Sequence, residues 1–286
     1  MILKKQKCCF HFLLLALIVC CSFDLFADVT ARERTTCKGE AFTFWLWSFL
    51  AGSANPDRVL ALPDTELISF TASDGRILKG FRLRPEDLPV KGYVLVVQGN
   101  GWLASSIAPY LASLRNIGLD VYVYDFRGYG LSRPGLRRFA AMLDDYREII
   151  AELNTIYQYK FLYGFSFGGV ILLNAVQDFS AFDLIVIDSS PSTVEGFTCT
   201  ENYTPVDQLP SDCSNFVLIS GKKDRVVKQK RMAALLKQGQ ACGAVQDINK
   251  LRGHPFQNES DKIREQRVLE LSALFREKIL SQDITQ

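Results

Sequence analysis

The sequence predicts an α/β protein with a mostly parallel central sheet, and three patterns support this prediction. Short apolar runs, which are typical of buried strands, recur along the chain from residue 93 onwards. Segments whose apolar residues repeat at helical spacing lie between them. Before the first run, the strand-like residues 67–72 and 77–83 flank a Ser-Asp-Gly-Arg turn, which predicts an antiparallel hairpin. Such alternation places helices on both faces of the sheet, with the hairpin at one edge.

The individual elements follow from the same patterns. The predicted strands after the hairpin are residues 93–97, 121–124, 161–164, 184–187, 216–219 and 245–251. The predicted helices are residues 107–117, 139–153, 170–176, 232–236 and 263–279. Gly118 is placed to end the first of these helices.

Composition and charge limit the class of partner. Hydrophobic residues make up 48% of the 286 residues and charged residues 22%, which is enough for a packed core. Removal of the first 27 residues takes away three lysines and one aspartate, and leaves 30 basic and 30 acidic residues. A net charge of zero predicts no nucleic-acid partner and no strong membrane patch beyond the leader. Since only one histidine lies outside the leader, we predict no metal and no other cofactor.

The N-terminus is typical of an export signal. Three lysines at positions 4, 5 and 7 precede an apolar run over residues 10–21, which is shorter than the roughly 20 residues that span a bilayer. Leu-Phe-Ala at residues 25–27 is an acceptable cleavage site, so residues 1–27 are predicted to be a signal peptide of a periplasmic or secreted protein. Two alternatives remain: a lipoprotein acylated at Cys20 or Cys21, and an uncleaved anchor.

The mature chain contains Cys37, Cys199, Cys213 and Cys242, and four cysteines allow three pairings. We favour a Cys199–Cys213 bridge because both residues lie in one irregular segment. That choice leaves Cys37 to pair with Cys242.

The predicted domain organisation is simple. Residues 28–66 form an N-terminal extension, in which the aromatic segment 41–50 is predicted to be a helix packed on the domain. A membrane-resting segment is the alternative for these ten residues. Residues 67–286 form one domain, with residues 191–215 as a small cap.

Candidate catalytic residues stand directly after predicted strands. Residues 164–168 read Gly-Phe-Ser-Phe-Gly, a match to the G-x-S-x-G motif, which holds a serine on a sharp turn between a strand and a helix. Asp224 follows the 216–219 strand and His254 follows the 245–251 strand. Ligands of such sheets bind beyond the carboxyl ends of the strands. The order Ser166, Asp224, His254 therefore predicts a nucleophile, an acid and a base at one edge of the sheet.

With these residues in place, the chain resembles the α/β-hydrolase family over roughly residues 67–280. It is most similar to the small-capped serine hydrolases, the Bem46-like and serine-aminopeptidase-like group. Residues 98–102, Gln-Gly-Asn-Gly-Trp, look like the family's oxyanion loop, and residues 125–130 look like its D-x-R-G-x-G segment. The family's loop often begins His-Gly, whereas this chain has Gln98, a departure that bears on the hydrogen bonding of the loop and on the type of substrate.

The resemblance implies a role for each matching residue. Ser166 attacks an acyl carbonyl, His254 takes and returns the proton, and Asp224 fixes the imidazole tautomer. The backbone N–H groups of Phe167 and Asn100 stabilise the oxyanion.

Five further residues are assigned with these. Asp188, at the end of the 184–187 strand, is a rival acid that we expect to make local hydrogen bonds instead. Asp125 and Arg127 are expected to hold the loop, and Trp102 and Phe165 to bind substrate on the floor of the cleft.

These roles predict an exported serine hydrolase that cleaves carboxylic esters of small molecules or lipids. The short cap suggests an open, apolar cleft, and no cluster of arginine and lysine is expected there. A peptidase or amidase with the same triad, and a non-catalytic binding protein on this fold, are the alternatives.

Overall fold

The chain folds around one continuous β-sheet. A computed structural model describes residues 39–194, 203–257 and 259–284. The strands in these residues are β1 (Thr65–Thr71), β2 (Ile77–Leu83), β3 (Gly92–Val97), β4 (Leu119–Tyr124), β5 (Tyr159–Phe165), β6 (Leu184–Asp188), β7 (Phe216–Gly221) and β8 (Val245–Asn249). Their order across the sheet is β1-β2-β4-β3-β5-β6-β7-β8.

The sheet is parallel except at one edge. β1 and β2 form an antiparallel hairpin that pairs Thr71 with Ile77, and β2 also runs antiparallel to β4. The remaining neighbours are parallel. The predicted fold class, a mostly parallel sheet with an antiparallel N-terminal hairpin, is confirmed.

Helices cover both faces of the sheet. They are α1 (Glu40–Leu50), α2 (Asp57–Leu60), α3 (Ala104–Leu111), α4 (Phe139–Asn154), α5 (Phe167–Ala175), α6 (Gln229–Ala241) and α7 (Asp261–Asp283). The predicted helix over residues 107–117 begins earlier, at Ala104, and continues after α3 as the 3₁₀ helix Ala112–Ile117. Gly118 ends it with a φ of 81°, a left-handed conformation that favours glycine.

The core has two layers because the central strands are buried on both faces. All six residues of β3 are buried, and their side chains alternate between the layers. Apolar residues of α4, α5 and α6 pack in one layer, and those of α3 and α7 pack in the other. Continuous apolar strands are what a parallel sheet covered on both faces requires.

The extension before the sheet packs through one side of α1. Phe44 is fully buried, and its ring centroid lies 5.4 Å from that of Phe167 at the start of α5. Glu40 accepts the Phe139 N–H at 2.6 Å. The outer side is exposed and aromatic: Phe42 is 64% and Phe49 67% accessible. Within the described residues, no helix combines the length and apolarity needed to cross a bilayer.

The disulfide differs from the expected one. Cys213 is bonded to Cys242, so the predicted Cys199–Cys213 pairing is wrong, and the pairing of Cys37 with Cys242 falls with it. Cys242 follows α6, the helix that joins β7 to β8 and returns the chain to the end of the sheet where β7 starts. Cys213 precedes β7 at that end, and its N–H donates to the Cys242 carbonyl at 2.7 Å. Cys37 and Cys199 lie outside the described residues.

Replacement of this bridge by two serines, Cys213→Ser with Cys242→Ser, should lower the free energy of unfolding by about 3.6 kcal/mol, the value expected for a closed loop of this length. The bridge spans 29 residues. Urea denaturation measures the loss, and peptide mapping without reductant identifies the pairing. A mapped Cys199–Cys213 peptide would contradict the structure.

Candidate active site

Ser166 lies on the sharp turn that joins β5 to α5. Its backbone has φ 54° and ψ −121°, a conformation that non-glycine residues rarely adopt outside functional sites. The turn is crowded, because a Cβ at position 168 would lie 1.8 Å from the Val97 carbonyl oxygen. Two hydrogen bonds hold the turn: the Ser166 N–H donates to the Asp188 carbonyl at 2.9 Å, and the Ser190 hydroxyl donates to the Ser166 carbonyl at 2.9 Å. The G-x-S-x-G motif therefore forms the sharp strand-to-helix turn that it predicts, and this turn requires glycine at position 168.

Asp224 and His254 meet on neighbouring loops after β7 and β8. Asp224 Oδ2 lies 2.9 Å from His254 Nδ1, and both side chains are buried. The other carboxylate oxygen, Oδ1, accepts the N–H groups of Val226 and Val227 at 2.8 Å each. Since both oxygens are engaged, the carboxylate has one orientation and fixes that of the imidazole.

The two loops are held against each other through their backbones. The Lys223 N–H donates to the Arg252 carbonyl at 3.0 Å, and the Lys222 N–H donates to the Asn249 carbonyl at 2.9 Å. A Cβ at position 221 would lie 2.4 Å from the Arg252 carbonyl oxygen, so the close approach requires the glycine present there.

Among the described residues, no hydrogen bond joins Ser166 to His254. The hydrogen bonds of Ser166 there are those of its backbone, and the His254 imidazole bonds Asp224. Catalytic hydrogen bonds of unliganded enzymes are often long and tighten only when substrate binds. The structure thus joins the candidate acid Asp224 to the candidate base His254, and it places a strained serine turn at the same edge of the sheet.

A buried ion cluster, formed by Arg267, Glu259 and Asp188, contacts the loop that carries His254. Glu259 Oε1 accepts the Gly253 N–H at 3.1 Å, and the Arg267 guanidinium donates to the Gly253 carbonyl at 3.2 Å. Arg267 also bonds Glu259 at 2.6 Å and forms an ion pair with Asp188. Burial disfavours the charge of Arg267, yet Asp188, Tyr163 and Glu259 around it hold its pKa above the ordinary value.

The two candidate acids, Asp188 and Asp224, have different partners in the structure. Asp188 accepts hydrogen bonds from Arg267, from the Tyr163 hydroxyl at 3.2 Å and from the Ser189 hydroxyl at 3.0 Å. Burial raises the pKa of Tyr163 well above the ordinary value, so its hydroxyl stays protonated and donates. Asp188 therefore makes the local hydrogen bonds expected for it, whereas Asp224 is hydrogen-bonded to the His254 imidazole.

The loop of residues 98–102 lies against the serine turn. A Cβ at position 99 would lie 3.1 Å from the Ser166 Cβ. Gln98 is fully buried and donates through Nε2 to the Tyr124 carbonyl at 2.8 Å. Asn100 accepts the Tyr129 hydroxyl at 2.8 Å. Gln98 thus ties the loop to the end of β4 through Nε2, while its Oε1 is buried without a hydrogen-bond partner among the described residues.

Asp125 fixes the far end of the same loop. Its two oxygens accept the Ala104 N–H at 2.6 Å and the Leu131 N–H at 2.8 Å, and Ala104 is the first residue of α3. Burial raises the pKa of the Asp125 carboxyl, while these two N–H groups act in the opposite direction. Arg127 instead forms ion pairs with Asp74 and Asp145.

One substrate-binding prediction is wrong. Phe165 is fully buried, and its ring packs on Phe256 at a centroid distance of 5.2 Å, so it has no surface for a substrate in this structure. Its neighbour across the loop, Trp102, is only partly buried and stays a candidate. Trp47 of α1, which the sequence did not indicate, lies beside the 98–102 loop. Its ring is 3.3 Å from the position that a Cβ of Gly101 would occupy.

Sequence reasoning also missed Glu259 and Arg267. Arg267 could have been noticed, because it lies on the apolar stripe of α7 four residues before Leu271, where a charged residue requires a buried partner. Nothing in the sequence identified that partner.

Solved structures of other proteins share this fold. The esterase 2 of Thermogutta terrifontis, in a structure phosphorylated by paraoxon, superposes with a TM-score of 0.62 at 16% identity, over 76% of this chain and 95% of that one. XC6422 of Xanthomonas campestris, a serine hydrolase without lid, superposes with a TM-score of 0.56 at 16% identity, over 77% and 96%. A hydrolase family model, serine aminopeptidase S33, matches residues 89–196. This chain has the α/β-hydrolase fold and is similar to that family over the matched segment.

The family match supports a hydrolase, but it covers only part of the candidate site. The matched segment is 108 of the 286 residues and includes Ser166, but neither Asp224 nor His254. The uncharacterized protein YfhR of Escherichia coli K12 is 27% identical over 197 residues, which is 60% of this chain and 68% of that protein. At 16% identity the solved structures establish the α/β-hydrolase fold.

Substitution of Arg267 by methionine should destabilise the protein by roughly 3–5 kcal/mol, because Asp188 and Glu259 would stay buried without their cation. Urea denaturation monitored by circular dichroism measures the change. Arg276→Met is the matched control, since Arg276 is an exposed arginine of the same helix. Equal losses in the two variants would show that the ion cluster contributes nothing specific.

Proposed function

We propose that the chain is a serine hydrolase that cleaves carboxylic esters through Ser166, His254 and Asp224. The observation that carries this proposal is the 2.9 Å contact between Asp224 Oδ2 and His254 Nδ1. It lies at the same edge of the sheet as the strained turn of Ser166. An acid–base pair and a nucleophile on three strand ends are the arrangement that acyl transfer needs.

The proposed reaction has two steps. Ser166 Oγ bonds to the ester carbonyl carbon while His254 Nε2 takes the hydroxyl proton, and the proton then passes to the alcohol oxygen as the ester C–O bond breaks. A water molecule attacks the acyl-enzyme in the same way, which releases the carboxylic acid and restores Ser166. Asp224 keeps the proton on Nδ1 and stabilises the imidazolium.

The oxyanion of each step is proposed to bind the N–H groups of Phe167 and Asn100. Phe167 is the first residue of α5, where the helix dipole favours negative charge. Asn100 belongs to the loop that contacts the serine turn and that Gln98 and Asp125 hold at its two ends. Such preorganised donors are worth about 3–4 kcal/mol each in other acyl-transfer enzymes.

A peptidase or amidase is the second candidate, because the matched family model is that of a serine aminopeptidase. The same acyl-enzyme chemistry would operate on an amide. Rates for a p-nitrophenyl ester and for an aminoacyl p-nitroanilide separate the two: faster turnover of the anilide would favour the peptidase.

Wild-type protein should gain the mass of a single fluorophosphonate adduct, and Ser166→Ala should gain none. The same substitution should lower kcat for a p-nitrophenyl ester by roughly 10⁴-fold or more, since the acyl-enzyme cannot form. Ser211→Ala, which removes an exposed serine, is the control. Folded wild type without an adduct would favour a non-catalytic binding protein instead.

We also propose that the enzyme is exported. The leader pattern supports this, and so does the Cys213–Cys242 bridge, because disulfides persist in oxidising compartments.

Cells that express the full chain should contain a mature form that starts at Asp28. N-terminal sequencing with intact mass measures this. Acylation at Cys20 or Cys21 would identify a lipoprotein, and an intact N-terminus would identify an uncleaved anchor.

A further inference from the structure

The segment of residues 222–231, which carries Asp224 and includes the first residues of α6, is strongly basic although residues 28–286 have no net charge. Residues 222–231 contain six cationic side chains, Lys222, Lys223, Arg225, Lys228, Lys230 and Arg231. All six are exposed, and none forms an ion pair with another described residue. The single acid of the stretch, Asp224, is buried and bonded to His254. The local positive charge is therefore uncompensated, contrary to the expectation that no arginine and lysine cluster lies near the site.

Two of these cations line a cavity that His254 also lines. The cavity has a volume of about 340 Å³. Lys223 and Arg225 line it, and Val226 and Ile263 add apolar surface.

The acid in the wall, Glu259, does not cancel this charge. Its carboxylate pairs with Arg267 at 2.6 Å and accepts the N–H groups of Gly253 and Phe256 at 3.1 and 3.3 Å. The charges that remain in the cavity wall are those of Lys223 and Arg225.

The position beside His254 indicates which part of a substrate would enter the cavity. In the proposed reaction, His254 delivers its proton to the alcohol oxygen, so the alcohol portion of the ester must lie against the imidazole. Lysine and arginine together bind carboxylate and phosphate oxygens. A cleft with one sign of charge also raises the encounter rate of oppositely charged substrates.

We propose that Lys223 and Arg225 form a subsite for a carboxylate or phosphate on the alcohol side of the ester. This inference rests on the proposed function. It narrows the substrate class to esters whose alcohol portion carries negative charge.

The test compares 4-acetoxybenzoate with its neutral amide, 4-acetoxybenzamide, in the full-length protein. Wild type should hydrolyse the carboxylate ester with a kcat/KM about tenfold higher, and the preference should fall as ionic strength rises from about 0.01 M to about 0.5 M. Lys223→Gln with Arg225→Gln should abolish the preference, mainly through KM, and leave the amide rate within about twofold.

The control is Lys237→Gln with Arg276→Gln, which removes two exposed cations that do not line the cavity. Equal rates for the two esters in wild type, or equal effects of the two double variants, would overturn the subsite alone. Folded wild type that hydrolyses neither ester would overturn the proposed function and the subsite with it.

A parallel assay on phosphatidylglycerol vesicles distinguishes the source of the anion. Fatty-acid release that depends on Lys223 and Arg225 would identify a lipid phosphate as the bound group. Dependence seen only with the dissolved benzoate ester would identify a soluble carboxylate.

Discussion

The buried cation of Arg267 is the interaction on which the candidate site depends most. Its guanidinium bonds Asp188 at the end of β6 and Glu259 beside the histidine loop, and it reaches the Gly253 carbonyl directly. The Asp188 backbone in turn accepts the Ser166 N–H. One side chain of α7 therefore connects the serine turn to the loop that carries His254. A buried charge is tolerated only when its partners are fixed. The cluster therefore holds the serine turn and the His254 loop at a set distance from each other.

Close backbone contacts at two glycines set the positions of the serine turn and of the Asp224 and His254 loops. Gly168 packs on the Val97 carbonyl and Gly221 on the Arg252 carbonyl, both closer than any Cβ would permit. The serine turn thereby packs closely on β3, and the loop that carries Asp224 packs closely on the loop that carries His254. Close packing of this kind leaves little room for adjustment, because interiors are as dense as organic crystals.

Much of this could be predicted from the sequence, because the relevant signals are local. Apolar runs located the strands, an Asp-Gly turn located the hairpin, and residues that follow strands were brought to one edge by topology. The rest depends on contacts between distant segments. The pairing of Cys213 follows from the path of α6, and the burial of Phe165 follows from Phe256 ninety residues later. Local spacing carries no information about either.

The first helix has a practical consequence for how the enzyme is handled. Phe44 packs on Phe167, and Trp47 covers Gly101 in the loop beside the serine. A recombinant fragment trimmed to the first strand would therefore expose aromatic core and lose the support of a loop proposed to bind the oxyanion. A fragment made for expression should therefore keep all of α1 from Glu40, whose carboxylate accepts the Phe139 N–H.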